Sequence, residues 1–147
     1  MRSFILTFVV GYVVASMMNW GIAEFLLNDW AAPQLGGFMR AGDDAASGVS
    51  IIKLTFGFMV PLLVIAIFQE FMVKPASWAA RATLIAVLVS AAAFYGTYTF
   101  ISGYGNVTLW PLMGFAAADT FCMVIGALVI GFLRQWEKSQ LLQELPR

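Results

Sequence analysis

Histidine is absent from this chain of 147 residues, and cysteine occurs only once. The lack of histidine removes the commonest haem ligand, the usual transition-metal ligand and the usual general base. The lone Cys122 cannot form a disulfide within the chain, and in an apolar run we expect it to pack as a small residue. We therefore predict no metal site and no cofactor, whereas a bound lipid or another hydrophobic ligand stays open.

Charged residues are also scarce, at 11% of the chain, and eight basic residues balance eight acidic ones. Such a chain has no basic surface for nucleic acid. Phosphate-binding glycine loops, nucleophile elbows and metal-ligand spacings are missing from the sequence as well. These absences exclude nucleic-acid binding and predict that the chain is not an enzyme.

Apolar sequence is abundant instead. The chain is 61% hydrophobic, well above the roughly 45 to 50% of soluble domains, and its mean hydropathy is +0.86. A helix needs about 20 apolar residues to cross a bilayer. The sequence predicts an all-α membrane protein with one domain over 1–147, a four-transmembrane-helix bundle. The predicted helices are 4–27, 49–73, 78–101 and 109–133, followed by a short amphipathic C-terminal helix at 134–145.

Prolines and glycines predict where the helices are interrupted. Pro33 and the glycines that follow it predict a long connection over 28–48. Pro61 has no amide for the carbonyl of Gly57, so it predicts a kink in the second helix. Gly57 and Pro61 are therefore a candidate hinge, although such kinks are usually architectural. The short turn at 74–77 predicts that the second and third helices are antiparallel neighbours.

Small residues recur every four positions along three helices and so line one face of each. Such faces let neighbouring helices approach closely in a membrane. The first helix carries Gly11 and Ala15, and the third carries Ala82, Ala86 and Ser90. The fourth carries Gly114, Ala118, Cys122 and Gly126. We predict that these positions pack helices together.

Polar side chains inside the apolar runs form a second pattern. At about 1.5 Å of rise per residue, Asn19 and Asp119 fall at similar depths, and Glu24 and Lys53 fall near one boundary, where they could pair. Glu70 is expected to pair with Lys74, one turn away. The candidate site is a buried polar cluster of Asp119, Asn19, Glu24, Lys53, Tyr95 and Tyr98.

Two interpretations of this cluster compete. A deep carboxylate is costly in a bilayer, and it can be retained because it binds a cation, relays a proton or lines a solute path. Alternatively, Asp119 is protonated, or is hydrogen-bonded to Asn19 or to a tyrosine, and holds helices together. The direction in which Asp119 points separates the two, since a cavity favours transport and a dry helix interface favours a structural role.

Basic residues predict the orientation. With four spans both termini lie on one side, and six of the eight Lys and Arg residues fall on that side. The positive-inside rule then makes both termini cytoplasmic. The basic residues of the terminal side are Arg2, Lys74, Arg81, Arg134, Lys138 and Arg147, and those of the other side are Arg40 and Lys53.

One stretch resembles a known group of proteins. The segment GYVVASMMNWGIAEFLLNDWAAPQLGGFM, at 11–39, and the glycine-rich last helix at 113–131 are similar to those of small four-helix bacterial inner-membrane proteins of unknown function. The resemblance implies a bacterial inner membrane and a compact bundle. It carries no site residues.

The sequence favours a non-catalytic subunit or assembly factor of a larger inner-membrane complex, which acts through helix packing. Its expected partners are membrane lipids and other membrane subunits or further copies of itself. The alternative is a small ion or solute transporter, or a channel as an oligomer, that uses the cluster around Asp119 and Asn19.

Overall fold

The computed structural model describes residues 2–35 and 48–144, and within these ranges the chain is helical and has no strand. The helices form four rods. The first rod joins α1 (Arg2–Ile22), a π-helical segment (Ala23–Leu27) and α2 (Asn28–Leu35). The second is α3 (Gly48–Phe71). The third joins α4 (Trp78–Ser90), a second π-helical segment (Ala91–Gly96) and α5 (Thr97–Tyr104), and the fourth is α6 (Leu109–Glu144).

Each rod contains a helical stretch that is long and apolar enough to cross a membrane, as the composition predicts. These stretches are Ser3–Ala31, Ile51–Phe71, Trp78–Tyr104 and Leu109–Leu141.

The rods alternate in direction. Ser3 contacts Glu137, and Trp30 lies against Gly114, so the first rod is antiparallel to α6. Arg134 of α6 also reaches Glu70, near the end of α3. We call the two ends of the bundle the Arg134 end and the Trp30 end. The start of α1 and the C-terminal part of α6 therefore lie at the same end.

Small residues bring α1 and α6 close together. A β-carbon on Gly11 would lie 2.5 Å from Cγ1 of Ile130, and one on Gly126 would lie 3.0 Å from Cβ of Ala15. Only glycine fits at these points without a shift of the neighbouring helix. The predicted role of these small residues in close helix packing is therefore confirmed, and the structure identifies α1 and α6 as the helices that meet.

The other small faces are also used inside the bundle. Ala82, Ala86 and Ser90 of α4 are fully buried, and α4 packs against α6. Cys122 is fully buried as well, whereas Ala118 is half-buried. Gly114 accommodates the ring of Trp30, whose Cζ3 would lie 2.7 Å from an added β-carbon. Small residues thus shape contacts within one chain.

The predicted connection at 28–48 is wrong in its first part, because α2 continues the first rod to Leu35 with Pro33 inside it. Packing explains the difference. Ala31 and Leu35 are buried against Leu112 in a second apolar cluster at the Trp30 end, and tertiary burial overrides the weak local preference against helix. The remainder of the predicted connection lies outside the described residues, including Gly36, Gly37 and Arg40. Residues 1 and 145–147 also lie outside them.

The predicted C-terminal helix is not separate, since α6 runs without interruption from Leu109 to Glu144. No glycine or proline occurs between Leu133 and Glu144, so nothing in the backbone chemistry ends the helix at the change from apolar to polar sequence. Helix α3 likewise continues through Pro61, and the kink there stays a prediction.

Arg134 organises the end of the bundle named after it. Its Nε donates to Oε1 of Glu70 at 2.7 Å, and its Nη1 donates to Oγ of Ser3 at 2.8 Å and to Oε2 of Glu137 at 3.0 Å. The predicted pair between Glu70 and Lys74 is replaced by this contact. Helix α3 ends at Phe71, so Lys74 lies beyond the helical turn that would have placed it beside Glu70.

Candidate functional site

Asp119 of α6 meets hydrogen-bond donors from two other rods. Nδ2 of Asn19 donates to Oδ1 at 2.5 Å, and the hydroxyl of Tyr98 donates to Oδ2 at 2.9 Å. The Asp119 side chain is nearly enclosed, with 8% of the residue exposed. The carboxylate therefore links the first, third and fourth rods through both of its oxygens.

The helix register explains this meeting. The close contact between Ala15 and Gly126 fixes α1 on α6, and Asn19 lies one turn beyond Ala15 on the same face. Tyr98 follows the second π-helical segment, and its ring lies 6.5 Å from that of Phe94. Packing around the polar group thus sets the position of each donor.

A cavity of about 730 Å³ lies beside Asp119, between the buried core and the Trp30 end. It is open on one side, where the lining residues Trp20 and Leu54 are 65% and 71% exposed. Residues of all four rods line it, and most of the wall is apolar or aromatic. Its polar lining residues are Ser16, Asn19, Asn28, Lys53, Thr55, Thr97, Tyr98 and Asp119. Asp119 therefore belongs both to a helix junction and to the wall of a cavity.

The hydroxyl of Ser16 is a polar group of this wall that the described residues leave unsatisfied. Its oxygen is buried and has no hydrogen-bond partner among them. A buried hydroxyl without a partner costs free energy, and native structures usually satisfy such groups. That oxygen has almost no accessible surface, so it contributes no contact to a ligand in the cavity.

Both π-helical segments reach the cavity. Ala23 of the first segment and Ala93 and Phe94 of the second line it. A π-helical turn widens the helix locally and is found frequently at functional sites. These two interruptions, together with Gly57 on α3, leave the space that regular helices with larger side chains would fill.

The structure brings together four of the six residues of the predicted cluster, because Asn19, Lys53, Tyr98 and Asp119 all line the cavity. Tyr95 instead packs against the main apolar core. Of the predicted hinge, Gly57 lines the cavity, and Pro61 lines an apolar groove of about 520 Å³ between α3 and α4.

The predicted pair of Glu24 and Lys53 is wrong. Both side chains lie on exposed positions, and the ion pairs found within 2–35 and 48–144 join only Arg134 to Glu70 and Glu137. Glu24 accepts a hydrogen bond from Nδ2 of Asn28 at 3.1 Å, one turn along its own rod. The first rod stays helical past Glu24, so this partner is available locally.

Several lining residues were not predicted. On the first rod, Tyr12, Ser16, Asn19 and Ala23 line the cavity at spacings of four, three and four residues. That spacing is the signature of one helical face and could have identified them. Thr97 and Phe115 could not have been found in this way, because the second π-helical segment and the register of α6 bring them to the cavity.

Within the described part of the chain, no group of three or more Cys, Asp and Glu side chains converges to hold a metal ion. Comparison of the chain with protein-family models, with curated proteins and with solved structures finds no match. The resemblance to small bacterial inner-membrane proteins therefore stays a prediction.

Proposed function

We propose that this chain is a multi-pass protein of the bacterial inner membrane with both termini cytoplasmic. Four apolar helices of sufficient length support the membrane location. The rods also expose large apolar side chains, including Phe25, Leu54 and Phe71 at 74%, 71% and 77%, which water-soluble monomers rarely present over large areas. Lipid is the medium in which such a surface is stable. The excess of basic residues at the Arg134 end supports the proposed orientation.

We propose further that the protein is a small transporter of a cation or a cationic solute, with Asp119 as the binding group. One observation carries this function: the carboxylate lines a cavity of about 730 Å³, which lies in the range of small-molecule sites. A polar group that served only to hold helices together would need no cavity beside it.

Asn19 and Tyr98 have a positioning role in this proposal. Their hydrogen bonds hold the carboxylate at the cavity wall. A carboxylate oxygen has more than one acceptor site, so each oxygen can still accept from a ligand. No catalytic role is assigned to the chain, because its sequence supplies neither a nucleophile motif nor histidine as a general base.

Flux into liposomes tests the proposal. We expect purified protein to carry at least one of H⁺, Na⁺, K⁺ and methylammonium, and Asp119→Asn to reduce that flux to the level of empty liposomes. Asp29→Asn is the matched control, because it also removes one carboxylate but lies on an exposed position outside the cavity lining. Equal flux in wild-type protein and in Asp119→Asn would exclude transport through this site.

A second function, that of a non-catalytic subunit or assembly factor, is supported by the C-terminal part of α6. Beyond Glu137 this helix continues for seven residues, or about 10 Å. It exposes Trp136 at 58% and Leu141 at 60%, a combination suited to a partner surface. The small-residue faces pack against other helices of the same chain, so they do not support a partner. The C-terminal part of α6 is therefore the main support for a subunit role.

Gentle extraction from native membranes tests the second function. We expect the full chain to migrate as part of a larger assembly, and a double variant Trp136→Ala/Leu141→Ala to be released from it. A chain that is purely monomeric in mild detergent would contradict the subunit role and would leave transport unaffected.

A further inference from the structure

We infer that the ligand of this cavity is a lipophilic organic cation with aromatic or bulky apolar groups. The inference rests on the proposed binding role of Asp119 and names the class of solute. It is drawn from the chemistry of the cavity wall, namely one enclosed carboxylate surrounded by aromatic rings.

Six aromatic side chains line the cavity: Tyr12, Trp20, Phe58, Phe94, Tyr98 and Phe115. Three of them form a continuous series along one wall. The ring centroids of Phe58 and Phe94 are 6.3 Å apart, and those of Phe94 and Tyr98 are 6.5 Å apart. Tyr98 then donates to Asp119, so the series of rings ends at the carboxylate.

This arrangement matches an organic cation in two ways. Aromatic faces attract a cation electrostatically, most strongly where water is excluded. Asp119 supplies the opposite charge, and no Lys or Arg of the described ranges lies within ion-pair distance of it. A small hydrated metal ion would use the carboxylate but would gain little from six rings, because oxygen ligands are what such ions prefer.

Lys53 is the other charged residue of the lining, and it must be reconciled with a cationic ligand. It lies on α3 toward the Trp30 end on an exposed position, whereas Asp119 is enclosed. A long lysine side chain can keep its ammonium group in the aqueous boundary. We therefore assign Lys53 to the outer end of the cavity, where it weakens cation binding only slightly.

An apolar groove next to the cavity suits entry from the lipid. The apolar groove between α3 and α4 is lined by Pro61, Val64 and Leu88 among others, and it shares Ala93 with the cavity. A lipophilic cation partitions into a bilayer, so it could reach the cavity along this groove. A strongly hydrated ion could not use such an entry.

Equilibrium binding to the detergent-purified full chain tests this inference, with tetraphenylphosphonium as the probe and tetraphenylborate as a probe of the same shape and opposite charge. We expect tetraphenylphosphonium to bind and tetraphenylborate not to bind. Asp119→Asn should weaken tetraphenylphosphonium binding by about thirtyfold or more, the change expected when one partner of a buried charge pair is lost.

Two further variants and one control variant keep the test decisive if Asp119→Asn folds poorly. Trp20 is 65% exposed, so Trp20→Leu should fold, and it should weaken binding about two- to fivefold through the loss of one cation–π contact. Trp110→Leu, at a position that is 70% exposed and outside the lining, is the matched control. Lys53→Gln should strengthen binding by up to about fivefold.

The opposite result overturns the inference. Tighter binding of tetraphenylborate than of tetraphenylphosphonium, with loss on Lys53→Gln, would assign the cavity to anions. Absence of tetraphenylphosphonium binding together with Asp119-dependent flux of an inorganic cation would refute the solute class and keep the transport function. Absence of both binding and flux would refute both.

Discussion

Gly11 provides the most direct test of how closely α1 and α6 pack. A β-carbon at this position would lie 2.5 Å from Cγ1 of Ile130 and 3.0 Å from the carbonyl oxygen of Gly126. Carbon atoms in contact are normally about 3.5 to 4.0 Å apart. Ile130 is 1% exposed, and the carbonyl of Gly126 belongs to the backbone of α6, so we expect Gly11→Ala to shift the two helices relative to each other.

Gly21→Ala is the matched control. Gly21 lies on the same helix, and nothing lies within 4 Å of the position of its β-carbon. Both substitutions replace glycine by the best helix former, a gain of up to about 1 kcal/mol that cancels in the comparison. What remains is the cost of overpacking, typically about 1 to 3 kcal/mol. We therefore expect Gly11→Ala to be less stable than Gly21→Ala by that amount.

Reversible unfolding in mixed micelles, followed by far-ultraviolet circular dichroism as the fraction of denaturing detergent rises, measures this difference. The same ordering is expected in melting temperatures. If the two variants agreed within about 0.5 kcal/mol, the precision to which such differences are usually additive, the tight contact between α1 and α6 would be refuted.

Three other contacts give expected outcomes. Gly114→Ala would place a β-carbon 2.7 Å from Cζ3 of Trp30, so it should lower the melting temperature. Trp30→Ala should lower the melting temperature less in the Gly114→Ala background than in the wild-type protein. Purely additive losses would contradict the contact. Glu70→Gln should cost about 1 kcal/mol, and Arg134→Gln should cost more, because it also removes the contacts of Arg134 with Ser3 and Glu137. A double-mutant cycle without coupling would contradict the pair. Asp119→Leu should lower the free energy of unfolding by about 1 to 4 kcal/mol, because two hydrogen bonds in a membrane are lost. This loss should exceed that of Asp119→Asn. Unfolding curves that coincide for the two variants would argue against both hydrogen bonds.

Helix existence and the faces used for packing could be predicted from the sequence to a large extent, whereas the pairing of α1 with α6 could not. Apolar length alone identified four stretches that the structure also contains. The four-residue spacing of Gly11 and Ala15 and of the positions leading to Gly126 identified the faces that meet. These features depend on local composition and on side-chain size, which the sequence states directly.

Helix interruptions could not be predicted in the same way. The amino-acid sequence of Ala91–Gly96 does not distinguish a π-helical turn from an α-helical one. Which of the two forms depends on how α4 and α5 each pack against the remaining rods. The extension of the first rod through Pro33 had the same origin, because burial of Ala31 and Leu35 decides it. Tertiary packing settles such local alternatives.

The candidate site was predicted in part for a related reason. The helical rise per residue was enough to predict that Asn19 and Asp119 lie at similar depths in the membrane. Depth gives no information on rotation about the helix axis, so it could not separate Tyr98, which contacts Asp119, from Tyr95, which lies outside the cavity lining. It also placed Glu24 and Lys53 together although they do not pair.

The two halves of the bundle differ in a way that bears on how Asp119 is tolerated. Toward the Arg134 end, fully buried side chains such as Leu62, Ile65 and Ile130 fill the space between helices, and this packing supplies stability that does not depend on the polar cluster. The half nearer the Trp30 end contains the π-helical segments and the cavity. Packing in one half of the bundle can offset the free-energy cost of a buried carboxylate in the other half, so the fold tolerates Asp119 at the cavity wall. If packing at Gly11 and Gly126 were loosened, we would therefore expect the Asp119 site to lose its geometry, whereas loss of the Asp119 charge should leave the packed half intact.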